Sequence, residues 1–341
     1  MSSQSDKRPP GETHPAMTET TQKYVDWFWI VVANFMWATQ VAAIKLIGDR
    51  LGAVAIAFIP MILSVGMFLP LLWWENRKRG AAFHWHWADA RHFLVAGIFG
   101  QFVIQFSYTL GAQRTLAANA AIITLSIPVL VAIMASLMLQ EKFNIVRIGS
   151  FVMALAGVLL TSLSDIHGAN FGQRTYLTGN LLFLVACAAS AFYNTYCKFL
   201  VERKYTELEI LVYTSVVGCL ASIPLFIWLE PLHLSTLRGL DRTAILGILE
   251  LAFIVYGVAM LLFFCVLKRL DVTQATLGNY MLPFFIGVLA VFVLKESITP
   301  VMWVGGIIVL VSTLLVTVYE NEILKWIGRR RGLDNVQNTG R

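Results

Sequence analysis

Polar side chains inside long apolar runs are the residues of this chain best placed to do chemistry. Glu250 lies in GILELAFIVYG, about eight residues into such a run. A carboxyl group at that depth costs about 3 kcal/mol on membrane-insertion scales, and such groups often carry protons in membrane proteins. Glu250 is therefore a candidate for proton coupling. The alternative is that the run begins later and that Glu250 lies at the membrane surface.

Amide, phenol and indole groups share helical faces in two other apolar runs. Asn34, Trp37, Val41 and Lys45 fall at i, i+3, i+7 and i+11. Gln101, Gln105 and Tyr108 share a face at i, i+4 and i+7. Unpartnered amides are unfavourable in lipid, so both stripes should face the interior of a bundle, where bonds between helices would explain the amides equally well. The full set of candidate substrate contacts is Asn34, Trp37, Gln105, Tyr108, Asn119, Thr124, Tyr193, Asn194, Gln274, Asn279 and Tyr280.

Two prolines interrupt apolar runs at corresponding places. Because proline has no N–H, Pro128 and Pro283 leave the carbonyls of Thr124 and Asn279 without their usual helical partners. Each kink is a candidate hinge and substrate contact. A static bend, closed by a neighbouring Ser or Thr hydroxyl, explains the pattern equally well.

The composition places these residues in a membrane. Hydrophobic residues make up 57% of the 341, charged residues only 13%, and the mean hydropathy is +0.69. A helical span needs ~20 apolar residues, and the sequence predicts ten: Trp27–Ile47, Ala53–Trp74, Phe93–Gln113, Leu116–Leu139, Ile145–Ser164, Gly179–Val201, Leu208–Leu229, Thr243–Leu267, Thr273–Leu294 and Val301–Tyr319. Residues 1–26 form a polar, disordered tail in this prediction, and residues 321–341 a basic tail.

Charge fixes the predicted orientation. Most of the 26 lysine and arginine residues fall in the tails and in the loops on the same side as the tails. Positive loops resist translocation, so both termini should be cytoplasmic. The net charge of +6 follows from this topology and needs no nucleic-acid partner.

The chain also repeats itself. Pro128 precedes Glu141 by the same interval that separates Pro283 from Glu296, and both pairs are related by an offset of 155. This divides the chain into two units of five spans, residues 27–164 and 179–320, joined by an extracytoplasmic connector, residues 165–178. An odd number of spans inverts the second unit, an arrangement typical of transporters, although a duplication retained only for packing would leave the same pattern.

Charged residues close equivalent helices in the two units. Glu141 and Glu296 end helices beside loops, where capping or gate-type ion pairs suit them. Lys45 and Lys198 end the first span of each unit, and are candidate gate residues or simply extend to the membrane surface.

The run SYTLGAQRTLAANAAIITLSIPVLVAIMASLMLQEKFNIVRIGSFVMALAGVLL resembles the EamA module of the drug/metabolite transporter superfamily, and the second unit resembles another copy. NFMWATQVAAIK resembles the Trp-Gly…Lys pattern of that family, with Ala38 where glycine is usual, and FIPMILS lacks an arginine often found in the second span. The resemblance implies an all-α integral membrane protein of ten helices in two inverted repeats, with cytoplasmic termini.

These observations predict a multi-pass protein of the cell (inner) membrane that exports a small metabolite, such as an amino acid, by alternating access. An uptake carrier or exchanger, or a non-transporting receptor or scaffold, remains an alternative. An enzyme is disfavoured because all six histidines fall in loops or tails. No cofactor or metal is expected, and a monomer is assumed. The expected partners are the bilayer and a small solute, with protons as a candidate coupling ion.

Overall fold

The computed structural model describes residues 19–80, 86–138, 144–164, 175–230, 239–267, 281–319 and 322–326, and within these ranges it contains helices and no strand. The helices are α1 (Glu19–Ile47), α2 (Ala53–Lys78), α3 (Ala90–Val95), α4 (Val103–Arg114), α5 (Ala117–Thr124), α6 (Ile127–Met138), α7 (Ile145–Ser164), α8 (Thr175–Glu202), α9 (Glu207–Trp228), α10 (Arg242–Leu249), α11 (Met260–Leu267), α12 (Met281–Phe292) and α13 (Pro300–Thr317). The predicted all-α class is confirmed for this part of the chain.

The first helix begins earlier than the sequence predicts. Residues 19–26, assigned above to a disordered tail, already belong to α1, and Asp26 is buried. Polarity alone suggested a tail, but a helix can continue beyond its apolar segment because its backbone hydrogen bonds do not depend on hydropathy. The boundary of the predicted tail is therefore wrong for these residues.

Several of the helices are long and apolar enough to cross a bilayer. Within the described ranges there are six uninterrupted stretches of this kind, and a seventh if α5 and α6 form one bent span. Three shorter apolar helices accompany them, at Ile145–Leu160, Met281–Phe292 and Pro300–Leu315. The chain is therefore a multi-pass membrane protein, and each of these helices lies inside or overlaps a span predicted from hydropathy.

Two of the long stretches contain π-helical turns. Ala96–Phe102 joins α3 to α4, and Glu250–Ala259 joins α10 to α11. A π-turn adds a residue to each turn, which widens the helix and rotates the residues that follow relative to an α-helix. The faces of these two stretches are therefore set by the π-turns as well as by the α-helical period.

The helical run predicted at Leu116–Leu139 is broken. A bend of 42° separates α5 from α6, and Pro128 is the second residue of α6. The Thr313 hydroxyl of α13 donates a 2.6 Å hydrogen bond to the carbonyl of Leu125 at the break. The Thr124 hydroxyl, by contrast, bonds the Ala120 carbonyl in its own helix. The carbonyl that accepts a hydrogen bond from another helix is thus that of Leu125, one residue after Thr124.

Glycines allow two pairs of helices to approach closely. A Cβ on Gly179 of α8 would overlap the carbonyl oxygen of Arg114, at the end of α4. A Cβ on Gly157 of α7 would lie 2.8 Å from the carbonyl oxygen of Gly305 in α13. Lipid tails are as apolar as the helices, so such close van der Waals packing helps to hold membrane helices together.

The buried core joins early and late parts of the chain. Ile44 of α1, Ile123 of α5, Phe183 of α8, Leu251 of the second π-helical segment and Ile286 of α12 belong to one cluster and are at most 1% exposed. Helices that are distant in sequence therefore form one continuous interior around the polar residues described next.

Candidate functional site

A cavity of about 100 Å³ lies between α1, α2, α9 and the two π-containing stretches. None of the described residues that line it is charged, and they combine amides and hydroxyls with aromatic rings and thioethers. They are Trp37, Gln40, Met61, Ser64, Phe68, Gln101, Gln105, Leu211, Ser215, Val255, Tyr256 and Met260. Such a volume holds a few water molecules. We call this cavity, with its mixed polar and apolar wall, the chamber.

Tyr256 is the centre of one hydrogen-bond network on the cavity wall. Its hydroxyl accepts a bond from Gln40 Nε2 at 3.2 Å and donates one to Gln105 Oε1 at 2.7 Å. One phenol thereby holds two amides from different helices in fixed orientations. The opposite ends of these amides, Gln40 Oε1 and Gln105 Nε2, are an acceptor and a donor that a solute in the chamber could use.

Tyr193 forms a second network behind the wall. Its hydroxyl lies 3.0 Å from Thr214 Oγ1, and the side chain of Gln101 lies near the same hydroxyl. Gln101 lines the cavity, whereas Tyr193 does not. Tyr193 therefore lies next to an amide that a solute could reach.

Trp37 supplies a large apolar surface of the chamber. Its ring meets that of Phe263 edge to face, with centroids 5.0 Å apart. An indole face held in this way can attract a cationic group.

Asn34, one turn before Trp37 on α1, does not line the cavity. It is fully buried and donates to the Ile30 carbonyl at 2.9 Å, while its Oδ1 has no partner among the described residues.

Glu250 lies beside the chamber rather than in its wall. It is the first residue of the second π-helical segment, and the Thr39 hydroxyl donates a hydrogen bond to its Oε1. Its Oε2 is buried and has no partner within the described part of the chain. Thr39 directly precedes Gln40, so the partner of this carboxyl group is the neighbour of a cavity residue along α1.

The structure separates several other candidates from the chamber. Tyr108 packs against Phe183 with centroids 4.5 Å apart. Asn119 is buried in α5 and donates to Thr115 Oγ1 at 3.4 Å. Asn194 is exposed on α8. Together with Thr124, these residues are not part of the cavity lining, and the chamber lies among other helices than the proline break in α5–α6.

Some candidates lie outside the described residues. These are Glu141, Gln274, Asn279 and Tyr280, together with the side chain of Lys198. Pro283 is described: it is buried, and it is the third residue of α12.

Sequence reasoning missed four polar residues of the lining, namely Gln40, Ser64, Ser215 and Tyr256. Gln40 follows Trp37 by three residues, so the stripe on α1 could have been extended to include it. Tyr256 lies in a π-helical segment, where an α-helical period does not give the correct face.

Glu296 closes the end of the bundle at which α1 finishes. Its two carboxylate oxygens accept the N–H groups of Ala117 and Ala118, each at 2.9 Å, at the start of α5. Lys45 Nζ lies 3.4 Å from Glu296 Oε1. Lys295, with φ of 58°, adopts the left-handed conformation just before this carboxylate. We call this arrangement the Glu296 clamp; it joins α1, α5 and the segment after α12.

Two other acidic residues, Glu230 and Asp241, contact the N-terminal part of the chain at the same end of the bundle as Glu296. Glu230 accepts the N–H groups of Val54 and Ala55 at the start of α2, at 2.9 and 3.2 Å. Asp241 pairs with Arg50 at 2.8 Å. The hydrogen bond from the N–H of Ala244, followed by Arg50, lowers the pKa of the Asp241 carboxyl group. This end of the bundle is therefore fastened by carboxylates from late in the chain.

Several known proteins similar to this chain are named as transporters or exporters. The sequence pattern of the EamA-like transporter family matches residues 27–163 and again residues 177–318. A chloroplastic WAT1-related protein of Arabidopsis thaliana is 23% identical over 87% of this chain and 70% of its own length. A probable terminal-alkyne amino-acid exporter of Streptantibioticus cattleyicolor is 23% identical over 89% of this chain and 95% of its own length. The aromatic amino acid exporter YddG of Salmonella typhimurium is 25% identical over 84% of this chain and 94% of its own length.

A solved crystal structure shares the fold. It superposes with a TM-score of 0.59 at 17% identity, over 88% of this chain and 99% of its own. The helices define an all-helical, multi-pass membrane protein. The two family matches identify it further: this chain belongs to the EamA-like transporter family. The resemblance noted in the sequence is thereby confirmed.

Proposed function

We propose that this protein is a secondary transporter of the cell (inner) membrane that exports a small metabolite, such as an amino acid or a related amphipathic compound. The observation that carries the proposal is the chamber, whose described lining is uncharged and partly polar, and which lies between helices of both family-matched segments. A carrier needs such a site between units that can move relative to each other.

Internal symmetry supports an inverted repeat. Gln40 and Tyr193 are related by an offset of 153, and Gln101 and Tyr256 by one of 155. Gln40 donates a hydrogen bond to Tyr256, and Tyr193 lies near Gln101, so that equivalent positions are neighbours in both pairs. The two π-helical segments begin at Ala96 and Glu250, an offset of 154. The proposed repeats comprise residues 27–164 and 179–320, with residues 165–178 as an extracytoplasmic connector.

Ten spans follow if every apolar helix crosses the membrane. In this proposal α7, α12 and α13 are spans, and α5 with α6 forms one bent span. The two ends of the chain, before residue 27 and from residue 321 onward, are then both cytoplasmic, as the distribution of lysine and arginine favours.

The chamber favours a solute without phosphate. Phosphate sites usually recruit an arginine guanidinium, and the lining has no charged side chain among the residues that the structure describes. Amides suit a carboxylate or amide group, whereas Trp37 and Tyr256 offer ring faces to an ammonium or apolar group. Two relatives are named as exporters of amino acids, which supports the same class of solute.

Alternating access requires one end to close while the other opens. The Glu296 clamp, with Glu230 and Asp241, forms the closed extracytoplasmic end in this proposal. By analogy within the proposed repeat, Glu141 and Lys198 would form the corresponding gate at the cytoplasmic end, with hinges at Pro128 and Pro283. Glu250 is the candidate for proton coupling, because it lies beside the chamber and its buried Oε2 has no partner among the residues that the structure describes.

Counterflow in proteoliposomes tests the function. Vesicles loaded with one unlabelled amino acid should take up the same labelled amino acid faster than protein-free vesicles, and a panel of amino acids identifies the solute class. A Gln40→Ala, Gln105→Ala double variant should lose this exchange while retaining its helical content by circular dichroism. If no amino acid exchanges but another organic solute does, the solute class is wrong. If nothing exchanges, the carrier proposal fails.

A further inference from the structure

The exposed face of α2 carries an ordered series of residues from apolar to basic. Leu63 and Gly66 are exposed near the middle of the helix, Trp73 and Trp74 are about half exposed further along, and cationic residues follow at its end. Tryptophan favours the boundary between hydrocarbon and headgroups, which places the last turn of α2 at headgroup depth.

The cations of this last turn are held by the indole rings. The Arg77 guanidinium carbon lies 5.2 Å from the centre of the Trp73 ring, and Lys78 Nζ lies 3.6 Å from that of Trp74. Such stacking restrains both side chains while leaving N–H donors directed away from the rings. Side-chain entropy is thereby lost before a ligand binds, which favours binding.

The acidic residue of this turn is already paired. Glu75 forms an ion pair with Arg79, one turn later. Arg77 and Lys78 therefore keep a net positive charge between them, one that complements a phosphate group.

Gly66 forms a notch on the same face. A Cβ added there would meet no atom within 4 Å, so the missing side chain leaves open space on the lipid side. Gly66 is eleven residues from Arg77, or roughly 16 Å along an α-helix. This is about half the thickness of a bilayer's hydrocarbon core, which is the reach of one acyl chain.

We propose that this face of α2, comprising Leu63, Gly66, Trp73, Trp74, Arg77 and Lys78, binds one anionic phospholipid. The headgroup phosphate accepts hydrogen bonds from Arg77 and Lys78, and an acyl chain runs past the indoles to the Gly66 notch. The site depends on the membrane location of α2 and not on the proposed transport activity.

The test is native mass spectrometry of the full-length protein in detergent, titrated with phosphatidylglycerol or phosphatidylcholine of identical acyl chains. The wild type should retain one phosphatidylglycerol about tenfold more strongly than phosphatidylcholine, since each basic residue near an anionic surface contributes appreciably. An Arg77→Gln, Lys78→Gln double variant should lose this preference. An Arg242→Gln, Lys325→Gln variant, which removes two other exposed cations, should keep it.

A Gly66→Leu variant separates the acyl chain from the headgroup. It should weaken retention of both lipids equally, because it fills the notch without changing charge, and leucine favours a helix more than glycine does. Equal retention of the two lipids by the wild type, or an unchanged preference in the Arg77, Lys78 variant, would refute the headgroup site. Unchanged retention in Gly66→Leu would refute the acyl path. Displacement of the lipid by millimolar inorganic phosphate would show a simple anion site instead.

Discussion

Gln40 of α1 and Tyr256 of the second π-helical segment meet through a 3.2 Å hydrogen bond, although 216 residues separate them in sequence. The bond joins the first family-matched segment to the second across the wall of the chamber. Any movement of one segment relative to the other must therefore lengthen this contact or carry both helices together.

Tyr256→Phe should impair transport without unfolding the protein. The change removes the hydroxyl that fixes Gln40 and Gln105, and a lost hydrogen bond of this kind contributes about 1–2 kcal/mol, so KM for the exchanged solute should rise roughly 5- to 30-fold. The measurement is concentration-dependent counterflow. Tyr319→Phe, at an exposed position just after α13, is the matched control. Equal KM values for the two variants would remove Tyr256 from the site.

Trp37→Ala should weaken solute binding more than Trp37→Phe. Both changes keep the position apolar, but only phenylalanine retains a ring face toward the chamber. If the solute carries an ammonium group, loss of the face contributes about 1–2 kcal/mol to binding. Binding of the solute identified by counterflow can be followed by calorimetry in detergent. Wild-type affinity in the alanine variant would contradict a role for the indole.

Glu250→Gln should abolish the dependence of transport on a proton gradient while leaving solute exchange partly intact. Glutamine can still accept the hydrogen bond from Thr39, but it cannot gain or lose a proton. The measurement compares net transport driven by a pH gradient with counterflow at equal pH. Glu322→Gln, at an exposed position, is the control. A gradient response equal to that of the wild type would exclude Glu250 from coupling.

Glu296→Ala should destabilise the protein by about 2–3 kcal/mol, because it leaves two helix N–H groups and Lys45 without their shared acceptor. Glu296→Gln should have a smaller effect, since an amide oxygen can still accept a bond from one N–H. Thermal unfolding in detergent measures the difference. An alanine variant with the Tm of the wild type would show that the clamp contributes little to the closed end.

Single cysteines should report the proposed topology. A cysteine in place of Gly168, within the proposed connector, should react with a membrane-impermeant reagent added outside the cell. A cysteine in place of Arg79, just after α2, should react only after the cells are permeabilised, because the positive charge of its neighbours favours the cytoplasmic side. Labelling of position 168 from the cytoplasmic side only would contradict the inverted repeat.

Much of the fold could be predicted from the sequence because the bilayer imposes simple rules. Apolar runs of span length indicate where helices lie, and the described membrane helices overlap the predicted runs. The sequence also indicates the break near Pro128, since proline removes a helical donor. It does not indicate that Thr313, 188 residues away, donates to the Leu125 carbonyl there, because that contact depends on how α13 packs.

The chamber was only partly predictable. Trp37 and Gln105 belong to α-helical stripes, and both line the cavity. Tyr256 could not be found in this way, because a π-helical segment changes which residues face inward and hydropathy does not reveal π-turns. Glu296 stands at a helix end in the sequence, but the N-terminus that it caps belongs to a helix 179 residues earlier. Pairings of this kind require three-dimensional packing.

The hydrogen bond from Thr313 to Leu125 constrains how the bend between α5 and α6 can work. The bond ties the break to α13, and α13 is in turn pressed against α7 at Gly157 and Gly305. The bend is therefore not a free joint within one helix. A change in its angle must either break this hydrogen bond or displace α13 together with the bend, and the close contact at Gly157 would carry the displacement on to α7.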